Sequence, residues 1–393
     1  IPLKTSHLKA SQDEATSWNH GLMAITLTPT ASRLELCGQS AQTRFLKVAH
    51  EFKLVSGATS SARDAMAKYS AVYDTYLKAY GCILLYALSA YELIIQYIWL
   101  LRYRLGLVSG PDESLYLSGR SLLITGGLGT IASEVAKTAL RHGNHVTILD
   151  VIPQAKAQEI LGSFGYPDKV RYYEVDLCKL EDVKAVCREL IDSESVPDIF
   201  LFNAAIMHSP YRLSNRMESQ LLVSYLSHCV ILSELRPALS PRTRLVFVSS
   251  VCHKAGFIQL DDLHGRRGYS AHLWYGQAKI CQLLLSAYLT AKTELQINSV
   301  HPGIVKTTLY KDVFLRHLFG LFDIMTPAEA ALCPTYACLS SEAKDLRGQY
   351  LEFCRPVAPN ALVGNCEVQA ELFQQTVDIL KPYTDFAKIV HSQ

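Results

Sequence analysis

The chain has 393 residues, 49% of them hydrophobic, and a formal net charge of +2 from 38 basic and 36 acidic side chains. That apolar content is enough for one large core plus extras, and charges that nearly cancel exclude the basic stripe a nucleic-acid binder carries. The eleven cysteines form no C-x-x-C pair and have no histidine at zinc spacing, so reduced, mostly buried thiols and no metal site are expected.

Residues 1 to 77 are rich in Ser, Thr and Ala and show no sustained period beyond a short amphipathic turn at Phe45, Val48, Ala49 and Phe52. They carry no readable function. The stretch AYGCILLYALSAYELIIQYIWLL, residues 79 to 101, is apolar almost throughout, and its length suits a helix crossing the ~30 Å hydrocarbon core. Tyr80, Tyr97, Trp99 and Tyr103 near its ends fit an aromatic belt, and Arg102 and Arg104 can snorkel to the interface. A transmembrane or membrane-anchor helix is therefore predicted over 78–104. The competing reading is a buried or interfacial helix, because Glu92 near the middle is costly in lipid. Arg63, Lys68 and Lys78 before the segment balance the arginines after it, so the positive-inside rule leaves its orientation undecided.

From Gly119 onward, strand-like apolar runs alternate with helix-length amphipathic stretches. SLLIT (121–125), HVTILD (145–150), VRYYEV (170–175), IFLFNA (199–204), RLVFVSS (244–250) and INSVHPG (297–303) read as buried parallel strands, with YLEF (350–353) as one more. The predicted fold is α/β: a doubly wound parallel-sheet Rossmann domain over 119–365, preceded by the anchor helix. Residues 366–393 read as a C-terminal helix and a loose tail.

The first strand feeds ITGGLGTIA (124–132), and SEVAKTALRHG continues it as a helix. A glycine turn in that context offers free amides and a positive dipole end to a pyrophosphate. Gly126 makes the tight turn, Gly129 permits close backbone approach, and the small Ala132 lets helix and strand pack. Asp150 ends the second strand 24 residues after Gly126, where a carboxylate can accept from an adenosine ribose. No Arg or Lys follows until Lys156, so NAD fits better than NADP. Taken alone, Asp150 reads equally well as an ordinary polar strand end.

In LWYGQAKICQLLLSAYL, Tyr275 and Lys279 lie four apart on one helix face. A nearby ammonium favours phenolate over phenol and suits the tyrosine to acid/base work. The pair follows a strand ending in VSS (248–250), where a serine can hold a substrate oxygen.

The order TGG, Asp150, Asp176, NAA, SS, YxxxK, HPG resembles the short-chain dehydrogenase/reductase superfamily over about residues 119 to 355. SSVCHKAGFIQLDDLHG, YSAHLWYGQAK and TPAEAALCPTYACLSSEAKDLRGQYL are similar to its retinol-dehydrogenase-like branch. The resemblance implies that Tyr275 is the acid/base, that Lys279 tunes it and binds the nicotinamide ribose, and that Ser250 orients the substrate oxygen. It implies cofactor contacts from Thr125, Gly126, Gly129 and Ile131, and from Asp150 and Asp176, the latter holding the adenine amino group. Asn203 and Ala204, Tyr275 and Lys279, and Pro302 with Thr307 at the carboxamide complete that set. For Asn203 and Asp176, structural turn chemistry is the alternative.

Two departures stand out. Thr130 and Ala132 occupy glycine positions of the family loop, although the spacing through Gly129 is kept. In VSYLSH (223–228), aligned with a family VNHLGH, Ser224 replaces the asparagine that completes the catalytic tetrad and helps hold a relay water. A serine hydroxyl offers fewer donors and a shorter reach.

The leading expectation is an NAD(H)-dependent oxidoreductase anchored in the endoplasmic reticulum membrane. Its substrate would be a lipophilic alcohol or carbonyl of retinoid, steroid or polyisoprenoid type, and its partners a membrane and a second copy of the chain, with no nucleic acid. The rival is a nucleotide-binding pseudoenzyme serving as scaffold or sensor. Ser250, Tyr275 and Lys279 favour the enzyme; Thr130 and Ser224 favour the rival.

Overall fold

A computed structural model of the chain describes residues 60–207, 209–305, 307, 309 and 325–390, with the backbone alone over 60–70. The amphipathic turn expected at Phe45 to Phe52 lies outside these residues. The chain divides into Ile1–Ala67 and Lys68–Gln393, and the architecture below is that of the second unit with the start of its first helix.

Helix α1, Ser60–Arg104, is longer than its apolar core. It contains no proline and stops at Gly106, whose φ of +69° supplies the left-handed residue that closes a helix; the amide of Leu107 reaches back to Arg102 O at 2.8 Å. From Ala71 onward its buried residues, Leu77, Gly81, Leu85, Glu92, Gln96 and the adjacent Trp99 and Leu100, recur at one or two helical turns. One face therefore packs on protein. Gly81 permits the approach, because a Cβ there would sit 2.6 Å from Ser270 Oγ. The opposite face stays exposed and apolar, with Val72, Ile83, Tyr91, Ile94, Tyr97, Ile98 and Leu101. By length and composition Ala71–Arg104 is a helix able to cross a membrane; within the described structure it lies along the domain.

The remaining elements follow in alternation: β1 Ser121–Thr125, α2 Thr130–Arg141, β2 His145–Asp150, α3 Gln154–Gly162, β3 Val170–Glu174, α4 Leu180–Asp192 and β4 Ile199–Phe202. A small hairpin of β5 Leu213–Ser214 and β6 Met217–Glu218 leads into helix α5, which runs through Ser219–Leu221, a π turn at Leu222–Leu226, and Ser227–Leu235. Then come β7 Arg244–Val248, α6 Ala271–Lys292, β8 Gln296–His301, α7 Pro327–Leu339, β9 Tyr350–Glu352, β10 Arg355–Pro356 and α8 Cys366–Leu380.

The main sheet has the order β10-β9-β8-β7-β4-β1-β2-β3. All its pairings are parallel except the edge pair β9 and β10. The chain leaves β1 toward β2 on one side and enters β4 on the other, so the carboxyl ends of β1 and β4 flank a topological switch point, where such sheets bind ligands. Alternation in β1 divides the core: Leu122 and Ile124 pack with α2 and α7, and Leu123 packs with α4, α5, α6 and α8. The predicted strands coincide with the observed ones to within two residues, because buried strands are the apolar runs themselves; β3, expected to be buried, is instead the half-exposed edge strand of the sheet. The segment expected as a loose tail differs. After α8 a 3-10 turn, Phe386–Val390, inserts Phe386 and Ile389 fully into the core, and that apolar burial holds it in place.

Candidate active site

The glycine turn is built by the ends of three strands. Gly126 has φ +63°, which disfavours any side chain, and a Cβ there would lie 3.1 Å from Ala204 Cα. Gly127 is equally constrained by Ile148, 2.8 Å from where its Cβ would stand, a packing role the motif did not reveal. Gly129 caps α2 without any side-chain cap bond, so the opening amides of the helix are left to a ligand. Thr130 is the first residue of α2 and Ala132 is fully buried against the sheet. These features fit a pyrophosphate seated by backbone groups.

Thr125 is fully buried, and its hydroxyl accepts from Asn203 N at 3.0 Å and Ala204 N at 3.1 Å. The Asn203 amide donates to Thr125 O at 3.2 Å and Gly126 O at 3.1 Å. Asn203 thus ties β4 to the turn. Asp150 is buried at the end of β2, where its carboxylate accepts from Leu128 N at 3.0 Å and Ile152 N at 3.3 Å. Asp176 accepts from Cys178 N at 2.9 Å, the turn chemistry that was the alternative reading.

Around a cleft of about 80 Å³ the fold gathers Ile131, Asn203, Ser250, Tyr275, Lys279, Pro302 and Thr307. Asp150, Asp176 and Ser224 are outside that lining. Ser250 follows β7, and its Oγ accepts from Cys252 N at 3.3 Å, capping a 3-10 turn over Val251–Ala255. Tyr275 and Lys279 project from α6, the lysine Nζ 5.7 Å from the tyrosine ring centroid. Lys279 Nζ donates to Val248 O at 2.7 Å. Burial pushes its ammonium down to about 7, because low polarity penalises the charged form.

Ser224 lies within the π turn of α5, fully buried. Its hydroxyl has no protein partner among the described residues, while its carbonyl accepts from Gln282 Nε2 at 2.7 Å. His228 is also fully buried, 3.1 Å from Thr125 Oγ1 through Nε2. Burial and the charge of Lys279 hold it neutral, with its pKa at about 3.

Several residues of the site escaped the sequence reading. Gln282 continues the face of Tyr275 and Lys279 at helical spacing, so that signal was present. Helix α1 supplies Ser89 to the cleft. It also supplies Glu92, whose Oε1 is 3.4 Å from His301 Nε2, and Gln96, which donates to Ile304 O at 2.9 Å and accepts from Ile304 N at 2.6 Å. Two buried polar residues four apart in an apolar helix were the only hint.

A doubly wound sheet, a glycine turn at its switch point, and a tyrosine and lysine facing the same cleft define a dinucleotide-fold oxidoreductase class. The chain matches the short chain dehydrogenase family over residues 120–317 and belongs to it; members of this family bind a nicotinamide cofactor. It is 29% identical to retinol dehydrogenase 14 of Mus musculus over 272 residues, 63% of this chain and 81% of that protein. It is likewise 29% identical to polyprenol dehydrogenase of Danio rerio over 283 residues, 66% of this chain and 86% of that protein. Among solved structures, an uncharacterized protein from Mycobacterium Paratuberculosis is similar with a TM-score of 0.58 and 26% identity, covering 71% of this chain and 99% of its own.

Proposed function

We propose that the chain is a membrane-anchored NAD(H)-dependent oxidoreductase acting on a lipophilic alcohol or its carbonyl, of retinoid, steroid or polyisoprenoid type. The observation that carries the reading is the placing of Ser250, Tyr275 and Lys279 on one cleft beside a glycine turn fitted for a dinucleotide. Similarity to retinol and polyprenol dehydrogenases supports the substrate class. The run HPGIVKTTLYKDVF is further similar to the X-chromosome-encoded dehydrogenase/reductase member of the retinol-dehydrogenase-like branch.

When bound, the nicotinamide exchanges the hydride with the substrate carbon. The residues of the chain manage the proton and the geometry. Ser250 Oγ donates to the substrate oxygen and orients it toward Tyr275. Tyr275 gives or takes the proton at its hydroxyl, and the Lys279 ammonium favours the phenolate. Lys279 is held beneath the tyrosine by Val248 O, and its low pKa makes its charge sensitive to what binds beside it. Asp150 would hold the adenosine ribose and would disfavour a 2′-phosphate by like charge. Asp176, Asn203, Pro302 and Thr307 complete the cofactor cradle, with Asn203 acting through the glycine turn it braces.

Membrane anchoring uses the exposed apolar face of α1 in this reading, at the endoplasmic reticulum membrane. Its inner face, with Glu92 buried at His301, stays on the domain and out of lipid, which removes the cost of that carboxylate. The test is single-turnover hydride transfer by the full chain in detergent with NAD and a panel of lipophilic alcohols. Turnover of retinoid or polyisoprenoid alcohols is expected. NADH binding without transfer to or from any of them overturns the enzyme reading in favour of the pseudoenzyme.

A further inference from the structure

The inner face of α1 reaches the chemistry itself. Leu85 is buried against Val251, Cys252, Ala255 and Tyr275, with Leu84, Leu88 and Met207 packed around them, and Ser89 lines the same cleft as Tyr275 and Lys279. The helix is clasped on both sides of this stretch. Toward its start, Asp74 accepts from Tyr269 N at 3.0 Å and the Tyr73 hydroxyl accepts from Gln259 Nε2 at 3.0 Å. Toward its end, Gln96 exchanges two hydrogen bonds with Ile304, and Arg104 makes a two-pronged pair with Glu329 at 2.9 and 3.1 Å. Between the clasps, the leucines meet the domain through apolar contact.

The cleft of about 80 Å³ is far below the ~300–1,000 Å³ of a pocket for a drug-sized ligand. A long apolar substrate needs more room, and the leucine seam is where room costs least. Hydrocarbon contacts between α1 and the Val251–Ala255 turn can be exchanged for hydrocarbon contacts with a ligand without stranding a polar group. The polar clasps would meanwhile hold the helix in register.

We propose that Leu84, Leu85, Leu88 and Ser89 of the apolar helix form the wall of the substrate site, and that the hydrocarbon tail of the substrate lies between them and the turn after Ser250. The helix is then a determinant of specificity as well as an anchor. This rests on the function proposed above for the same cleft.

Two measurements on the full chain in detergent micelles test it. The first uses a long-chain aliphatic alcohol bearing a diazirine in its tail, with NAD present. Label is expected on Leu84, Leu85, Leu88 or Ser89, and excess unlabelled alcohol should suppress it; label confined to the outward Ile83, Tyr91 and Ile94 and not competed overturns the proposal. The second compares Ser89→Leu with the outer-face variant Ile94→Ala. Filling the wall should raise the ratio of KM for a long-chain alcohol to KM for a short one by ~10-fold, the scale of a misplaced hydrocarbon group in a pocket. Ile94→Ala should leave the ratio unchanged. An unchanged ratio in Ser89→Leu, with NADH still bound, also overturns it. Failure of the oxidoreductase reading shows separately, as no turnover of any alcohol by the unmodified chain, and in that case the labelling pattern still decides the wall.

Discussion

Gln282 donates its side-chain amide to the carbonyl oxygen of Ser224 at 2.7 Å, and both residues are fully buried. The π turn at Leu222–Leu226 breaks the regular ladder of α5, which frees carbonyls that need another donor. Gln282 is that donor at Ser224, one turn beyond Lys279 on α6. Gln282→Met keeps the side-chain volume and removes this donor, so unfolding free energy should fall by ~0.5–1.5 kcal/mol. Urea denaturation measures it, and an unchanged midpoint would show that the bond has no net worth.

Tyr275→Phe removes one oxygen from the cleft. Positioned acid/base catalysis is worth ~10²- to 10⁴-fold, so single-turnover hydride transfer should drop by that factor. The Kd for NADH, followed by fluorescence, should move little, because the glycine turn binds through its backbone. Transfer at the unmodified rate would exclude Tyr275 as the acid/base.

Asp150 stands near the glycine turn and accepts from Leu128 N, so truncating it to alanine would also loosen the turn. Asp150→Asn keeps an acceptor and removes the charge. The preference for NADH over NADPH should narrow by ~10-fold, equivalent to about 1.4 kcal/mol. Tighter binding of NADPH than NADH by the unmodified chain, in a direct titration, would take Asp150 away from the ribose.

Burial holds His228 and His253 each at about 3, against ~6.5 in an unfolded chain. Their folded-state values are depressed, so the stability they contribute is present above 6.5 and is lost as pH falls toward 3, where the unfolded state binds more protons. Each costs roughly 2 kcal/mol between pH 7 and pH 5. The urea midpoint should therefore decline over that interval, and less steeply in His228→Gln. Parallel slopes for variant and parent would contradict the burial of this imidazole.

The outward face of α1 predicts that the full chain resists alkaline extraction from membranes. Placing carboxylates there, as Ile83→Glu with Ile94→Glu, should release it, since both positions are exposed and charges in the apolar layer are costly. A parent protein found wholly in the high-speed supernatant would end the anchoring account.

The sequence by itself determined the strands, the glycine turn and the tyrosine with its lysine. Each is a local pattern: a buried strand is an apolar run, as SLLIT and HVTILD are, and residues four apart on a helix must share a face. It also exposed the departure at Ser224. The tertiary structure decided what local patterns do not encode. An apolar helix read alone looks the same whether lipid or protein covers it, and long-range contacts such as Gln96 with Ile304 and Glu92 with His301 show that α1 lies over the cleft. The bond from Gln282 to the Ser224 carbonyl is of the same kind, since the two stand on different helices and are brought together by packing rather than by spacing. Phe386 and Ile389 likewise look like apolar residues of a loose tail until the core that receives them is assembled.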